Sequence, residues 1–238
     1  MIFLVIHFNT PELTEALIRS VYKYNTCATI VMIDNSSSRK FPKHLIDELF
    51  IHYIDNTQNN IINFDYTFSM IKLPIDETCL KINNLGSARH ALTIDWAIWN
   101  LPYDNFILLD SDILLTRNID FVDATKITVG TKSSKEMAVY PDRHPRMLPY
   151  CQFLNARLIK HFKIHYFDPT RILGFYVDKR KWDTGASFYQ DVLSLNKRLY
   201  NDTIDIDNYM VHYKGASWRP SMSYNDFLTK YRRLWSLG

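Results

Sequence analysis

The sequence predicts an α/β fold with a mostly parallel central sheet flanked by helices. Three observations lead there. Ile2–Phe8 (apart from His7), Thr29–Ile33 and Phe106–Leu109 are short apolar runs without polar alternation, as in strands buried on both faces. Helical patterns lie between the runs. Asn9, Asp34 and Asp110 stand where the runs end, and open parallel sheets collect their ligands at the carboxyl ends of strands.

The elements follow in order. After the first strand, Thr10 can cap a helix, Pro11 fits its first position and Glu12 suits its positive end. Leu13, Ala16, Leu17 and Val21 carry its apolar stripe to about Tyr24. The second strand ends in Asp34-Asn35-Ser36-Ser37-Ser38, which closes a β-α-β unit. A third strand is expected around Phe50–Ile54, and residues 56–84 show little periodicity. Leu85-Gly86-Ser87 opens a helix in which Ala88, Ala91, Leu92 and Ile98 share a face, and Leu101-Pro102 ends it. Further on, the pattern predicts a strand at Met137–Tyr140, a proline-bearing basic loop at Pro141–Pro149 and a short helix over Leu154–Phe162. A helix near Ala186–Leu195 and a last strand at Tyr209–Tyr213 follow. Ser223 and Asp226 resemble a capping box for a final helix with Phe227, Leu228, Tyr231, Leu234 and Trp235 on its apolar face.

Composition narrows the classes. The chain has 238 residues, 47% of them hydrophobic, which suits a single globular domain rather than a disordered chain. A net charge of +3, with no dense basic patch interleaved with aromatics, argues against nucleic acid as a partner. Cys27, Cys79 and Cys151 form no C-x-x-C motif, as expected in a reducing compartment. The apolar run Met1–Ile6 is too short for a signal segment, and no stretch is long enough to span a membrane. A cytoplasmic protein is therefore expected. The basic, aromatic C-terminal helix reads two ways: as peripheral contact with the inner membrane face, or as packing against the sheet.

Ile107-Leu108-Leu109-Asp110-Ser111-Asp112 is the central motif. Two carboxylates one residue apart, just beyond a buried strand, can reach one hard cation directly or through its water. Such a cation bridges diphosphate oxygens and stabilises charge on a leaving nucleoside diphosphate. The same residues also suit a solvated turn with a helix cap. His212, in His212-Tyr213-Lys214-Gly215, can give the cation a third protein ligand or serve as a structural histidine. Its imidazole favours Mn²⁺ over Mg²⁺. Lys214 and the following loop can hold phosphates. Asp183, in Trp182-Asp183-Thr184-Gly185, is the candidate general base for an acceptor hydroxyl, and Asp191 is the alternative. Asp183 equally suits a helix cap, and Trp182 suits either an acceptor platform or the core.

The order of these blocks resembles family 2 glycosyltransferases of the GT-A fold. Ile2–Asn9, Ile30–Ser37, Asn84–His90 and Phe106–Asp112 are similar to successive nucleotide-sugar segments of that family, over roughly the first 120 residues. Phe8-Asn9 stands here where Tyr-Asn is typical, and His90 where Asn is usual. The resemblance implies that Phe8, Asn9 and Thr10 flank base and ribose. It implies that Asp34 hydrogen-bonds the base and that Arg89 lies near the diphosphate, with Asn35, Asn84, Asp110 and Ser111 as further nucleotide-sugar contacts. Arg89 equally suits a surface ion pair. The His212 segment resembles a loop of family 8 glycosyltransferases. The expected protein is one GT-A domain over residues 1–238, with 1–120 as its nucleotide-sugar half and 121–238 as a mixed acceptor half. Its expected activity is hexose transfer from a nucleotide-sugar donor, a UDP-hexose, to a glycan or glycolipid acceptor. The family 2 blocks imply inversion with Asp183 as base; the His212 loop implies retention. A nucleotidyltransferase is disfavoured, because Asn9-Thr10-Pro11-Glu12 stands where that class carries a glycine-rich basic loop. A non-catalytic nucleotide or sugar binding module stays open.

Overall fold

The computed structural model describes residues 1–57, 61–64, 85–133, 143–172, 182–213, 225 and 228–229. The chain forms two compact units that interleave along the sequence. One comprises Met1–Asn60, Ile107–Asp120 and Asp205–Gly238, the other Ile61–Phe106 and Phe121–Ile204.

In the first unit, β1 (Ile2–His7), β2 (Thr29–Asp34) and β3 (His52–Asp55) are joined by α1 (Pro11–Tyr24) and α2 (Lys43–Glu48), and β4 (Asn105–Leu109) enters it from Ile107. The strand order is β3-β2-β1-β4 and every pairing is parallel. Phe3, Leu4, Val5, Ile30, Met32, Ile33, Leu108 and Leu109 are fully buried, which is why these strands read as continuous apolar runs. The register sets His7 beside Asp34 and Asp34 beside Asp55, so the polar strand ends line up. A short strand β5 (Ile113–Leu115) pairs antiparallel with β9 (Met210–His212), with Ile113 opposite His212. One polar side chain of α1 and one just past its end hold the segment after β4. Ser20 Oγ accepts from Leu115 N at 3.1 Å, and Asn25 Oδ1 accepts from Ile119 N at 3.1 Å.

The expected third strand begins two residues late, and the reason is a helix end without glycine. After α2, Phe50 N–H donates to the Asp47 carbonyl and Ile51 N–H to the Ile46 carbonyl, the two bonds of a Schellman stop. That stop needs a left-handed residue, and here it is Phe50, with φ 48° and 85% exposure. Lys163 (φ 55°) does the same after α4 (Ala156–His161), where Ile164 N–H reaches the Ile159 carbonyl. Phe50→Gly removes the steric penalty and sacrifices no buried surface. It should raise stability by about 1 kcal/mol, read as a higher urea midpoint at unchanged slope.

In the second unit, β6 (Thr128–Val129) pairs antiparallel with β7 (Cys151–Asn155) and parallel with β8 (Tyr200–Asn201). The unit also holds α3 (Leu85–Asn100), α4, α5 (Pro169–Ile172) and α6 (Ala186–Leu195). The helix expected from Leu154 starts instead at Ala156. Leu154 and Asn155 complete β7, and the Asn155 side chain caps α4 by accepting from Leu158 N at 3.0 Å. Gly185 precedes α6 at φ 82°, where a side chain would meet the Tyr166 hydroxyl at 2.9 Å. The strand expected at Met137–Tyr140 and nearly all of the C-terminal helix lie outside the described residues. Among the described residues, no helix is long and apolar enough to cross a membrane.

Candidate functional site

The β5–β9 pairing delivers His212 to the acidic motif. Asp112 immediately precedes β5, and Tyr213 N–H donates to the Asp112 carbonyl at 2.9 Å, extending the ladder past its last paired residue. His212 Nε2 then stands 3.3 Å from Asp112 Oδ1. The Asp112 side chain is 3% exposed and that of His212 13%. Two ligands of an octahedral cation at ~2.1 Å and a right angle are about 3 Å apart, so this oxygen–nitrogen pair has the spacing of two neighbouring ligands. Asp110, at the end of β4, is half-buried. Among the described residues, no three of His, Cys, Asp and Glu converge as metal ligands. Of the three expected ligands, the β5–β9 register brings Asp112 and His212 together, and Asp110 stands on the other side of Ser111 in sequence. Ser111 faces the first strand end instead, its Oγ 3.3 Å from Thr10 Oγ1. Thr10 consequently does not cap α1 with its side chain.

The ends of β1 and β2 form a tightly bonded loop system. Asp34 is fully buried. Its Oδ1 accepts from Ser36 N at 2.8 Å, and its Oδ2 from Phe41 N at 2.9 Å and Tyr53 OH at 2.7 Å. Where the resemblance implies a nucleobase, this carboxylate already has three donors from its own chain. Burial, followed by the bond to Asp34, raises the Tyr53 phenol far above its ordinary value. Asn35 Oδ1 accepts from Asn56 Nδ2 at 2.8 Å. Phe8 is 48% exposed at the end of β1.

His7 is buried beneath the same loop. Its Nε2 lies 3.2 Å from the Arg39 carbonyl, which only accepts, so Nε2 carries the proton and Nδ1 accepts from the Thr14 hydroxyl at 2.8 Å. Burial is the main cause of a lowered pKa, partly offset by the nearby Asp34 charge. The folded protein therefore keeps His7 neutral after the unfolded chain has begun to protonate it. That contribution is fully present above the ordinary value of 6.5 and is lost as pH falls below it. Urea midpoints should drop between pH 7.5 and 5.5 in the wild type, and less in His7→Gln.

In the second unit, Asp183 is 8% exposed and saturated. Its Oδ1 accepts from Ser87 OH at 2.6 Å and from Thr184 N at 2.8 Å. Its Oδ2 meets Arg143 at 3.0 Å and Arg146 at 3.1 Å. Burial pushes this carboxyl up, but Arg146, Ser87, Thr184 and Arg143 together outweigh it and hold the acid below its ordinary range. A general base needs an available lone pair and a pKa nearer the working pH, so the surroundings of Asp183 suit an anchor better than a base. Asp191 accepts from Arg171 at 2.7 Å, and Arg171 also meets Asp168 at 3.2 Å. Trp182 is stacked on His144, with ring centroids 3.7 Å apart, and carries the Arg171 guanidinium 5.3 Å from its ring centre. Arg89 is exposed on the first turns of α3, its guanidinium 5.6 Å from the Phe64 ring centre.

No protein-family model matches the sequence, and no curated protein sequence matches it either. Solved structures do. The chain is similar to the galactosyltransferase LgtC in complex with donor and acceptor sugar analogs, with a TM-score of 0.51 and 12% identity, over 84% of this chain and 72% of that one. The chain has the GT-A glycosyltransferase fold. Mouse xyloside xylosyltransferase 1 in its apo form gives a TM-score of 0.48 at 10% identity, over 87% of this chain and 86% of that one. The glycosyltransferase GlyE of Streptococcus pneumoniae TIGR4 gives 0.49 at 12%, over 87% and 45%.

Within this GT-A fold, Asn84, Lys214 and the loop after His212 lie outside the described residues, as does most of the helix expected to touch a membrane. Sequence reasoning missed Tyr53 under Asp34 and Arg143 and Arg146 around Asp183. The two arginines had only a weak signal: they stand in the basic run at Pro141–Pro149, but Asp142 adjoins Arg143 and Lys181 lies two residues before Asp183, so each charge had a nearer partner in sequence.

Proposed function

We propose that this chain is a metal-dependent glycosyltransferase that moves a hexose from a UDP-sugar to a glycan or glycolipid acceptor. One observation carries the reading: Asp112 and His212 meet at 3.3 Å beyond the carboxyl end of β4, in a GT-A fold. Asp112 and His212 would hold Mn²⁺ through one carboxylate oxygen and one imidazole nitrogen, and the ion would supply positive charge against the departing nucleoside diphosphate. The nucleotide lies across the ends of β1 and β2, against Phe8 and the segment from Ser36 to Lys40. LgtC was crystallised with donor and acceptor sugar analogs, which supports a sugar acceptor here as well.

Among the described residues, the two expected bases favour transfer with retention over inversion. Inversion needs a base to take the acceptor proton. Asp183 is committed to four donors, and Asp191 to Arg171. In retaining transfer the leaving phosphate oxygen can take that proton, and no protein carboxylate is required. The test is a panel of nucleotide-sugars assayed for nucleoside diphosphate release with Mn²⁺ or with chelator, and NMR of the product anomer. Mn²⁺-dependent release from a UDP-hexose and a retained anomer are expected. Tight UDP binding without metal and without sugar consumption would point to a binding module instead. An inverted anomer would return Asp183 to the role of base.

A further inference from the structure

Asn9 looks, by position, like a donor ligand, but its carboxamide is engaged by its own chain. Its Oδ1 accepts three consecutive backbone N–H groups, from Ser37 at 3.1 Å, Ser38 at 2.9 Å and Arg39 at 2.9 Å, and the Ser38 hydroxyl at 3.2 Å. Its Nδ2 donates to Ser37 Oγ at 2.9 Å, and its own N–H donates to Ser36 Oγ at 2.9 Å. Arg39 is pinned from the other side too, since its carbonyl accepts from His7. The backbone of Asn9 is left-handed, at φ 57°. Asn tolerates that conformation better than other residues with a side chain, and its short amide offers an acceptor and a donor together.

We propose that Asn9 is a positioning residue: it clamps the Ser36–Arg39 segment to the end of β1, and so sets the shape of the nucleotide platform before any nucleotide arrives. The consequence for donor binding rests on the glycosyltransferase reading; the clamp itself does not. Two variants separate a clamp from a direct ligand. Asn9→Gly keeps the left-handed backbone and removes the carboxamide. Asn9→Asp keeps an oxygen for the three N–H groups, and its added charge would repel a diphosphate if the side chain touched one.

Amide hydrogen exchange of the nucleotide-free protein is measured first. Asn9→Gly should speed exchange at Ser37, Ser38 and Arg39 by about tenfold or more, and Asn9→Asp should leave it near wild type. UDP binding with Mn²⁺, donor KM and kcat are measured next. Asn9→Gly should raise Kd and KM with kcat little changed, and Asn9→Asp should restore both. Unchanged exchange in Asn9→Gly, or UDP binding lost in Asn9→Asp as badly as in Asn9→Gly, overturns the proposal. A wild type that binds no UDP defeats the functional reading alone, and the exchange result still decides the clamp.

Discussion

Asp112→Asn should lower Mn²⁺-dependent turnover by roughly 10²- to 10³-fold while the protein stays folded. Several kcal/mol of transition-state stabilisation is the scale of a metal ion's contribution, and each ~1.4 kcal/mol is tenfold in rate. The amide keeps the shape of the carboxylate and removes its charge. The bond from Tyr213 N–H goes to the Asp112 main-chain carbonyl, so the strand extension survives the change. His212→Ala removes the other half of the pair and should raise the Mn²⁺ concentration needed for half-maximal activity. A Mn²⁺ titration of each variant, beside its thermal melt, checks both. Asp110, half-buried just past β4, is measured beside them: its Asn variant should raise the Mn²⁺ requirement too where the ion needs both aspartates. Wild-type metal dependence in Asp112→Asn would remove the reading of Asp112 and His212 as ligands.

Burial on both faces made some strands legible but not all: fully buried β7 was missed, and partly exposed β3 and β9 were expected. β1, β2 and β4 announce themselves because no residue alternates to solvent. β5, β6 and β8 have two or three residues each, too few to show any period, and they exist because a partner strand is there. The end of α2 was hidden for another reason: its stop uses Phe50 in a conformation that glycine normally signals. At the candidate site, the sequence marked polar positions at strand and helix ends without saying what each faces. Asn9, Asp34 and Asp183 are polar residues at strand or helix ends, where a ligand contact and an internal hydrogen bond leave the same trace. The structure gives all three internal partners. Asp112 and His212 differ, because a hundred residues separate them and only the β5–β9 register brings them together.

Asp183→Asn should destabilise the protein by about 3–5 kcal/mol, the scale for removing one partner from a buried ion pair. The loss comes from what stays behind. The Arg146 side chain is 11% exposed and that of Arg143 27%, and both would keep their charge with the carboxylate gone. Arg146 also donates to the Thr184 carbonyl at 3.2 Å, and Thr184 Oγ1 to the Ser87 carbonyl at 3.2 Å. One acid therefore ties the start of α3, the start of α6 and the basic segment before β7 into one unit. For a domain of this size the melt should fall by roughly 6–20 °C. The sign with pH follows from the lowered carboxyl. Its stabilising contribution is present above the ordinary value of 3.8 and is lost as pH falls from there through the folded value. Wild-type stability should therefore drop on acidification below pH 4 by more than that of the variant. The same protein separates the two roles of this residue. An anchor loses stability first, and activity recovers when the melt is restored by cooling or by added nucleotide. A base loses activity at every temperature with the melt intact, and that result would reopen inversion and close the argument for retention.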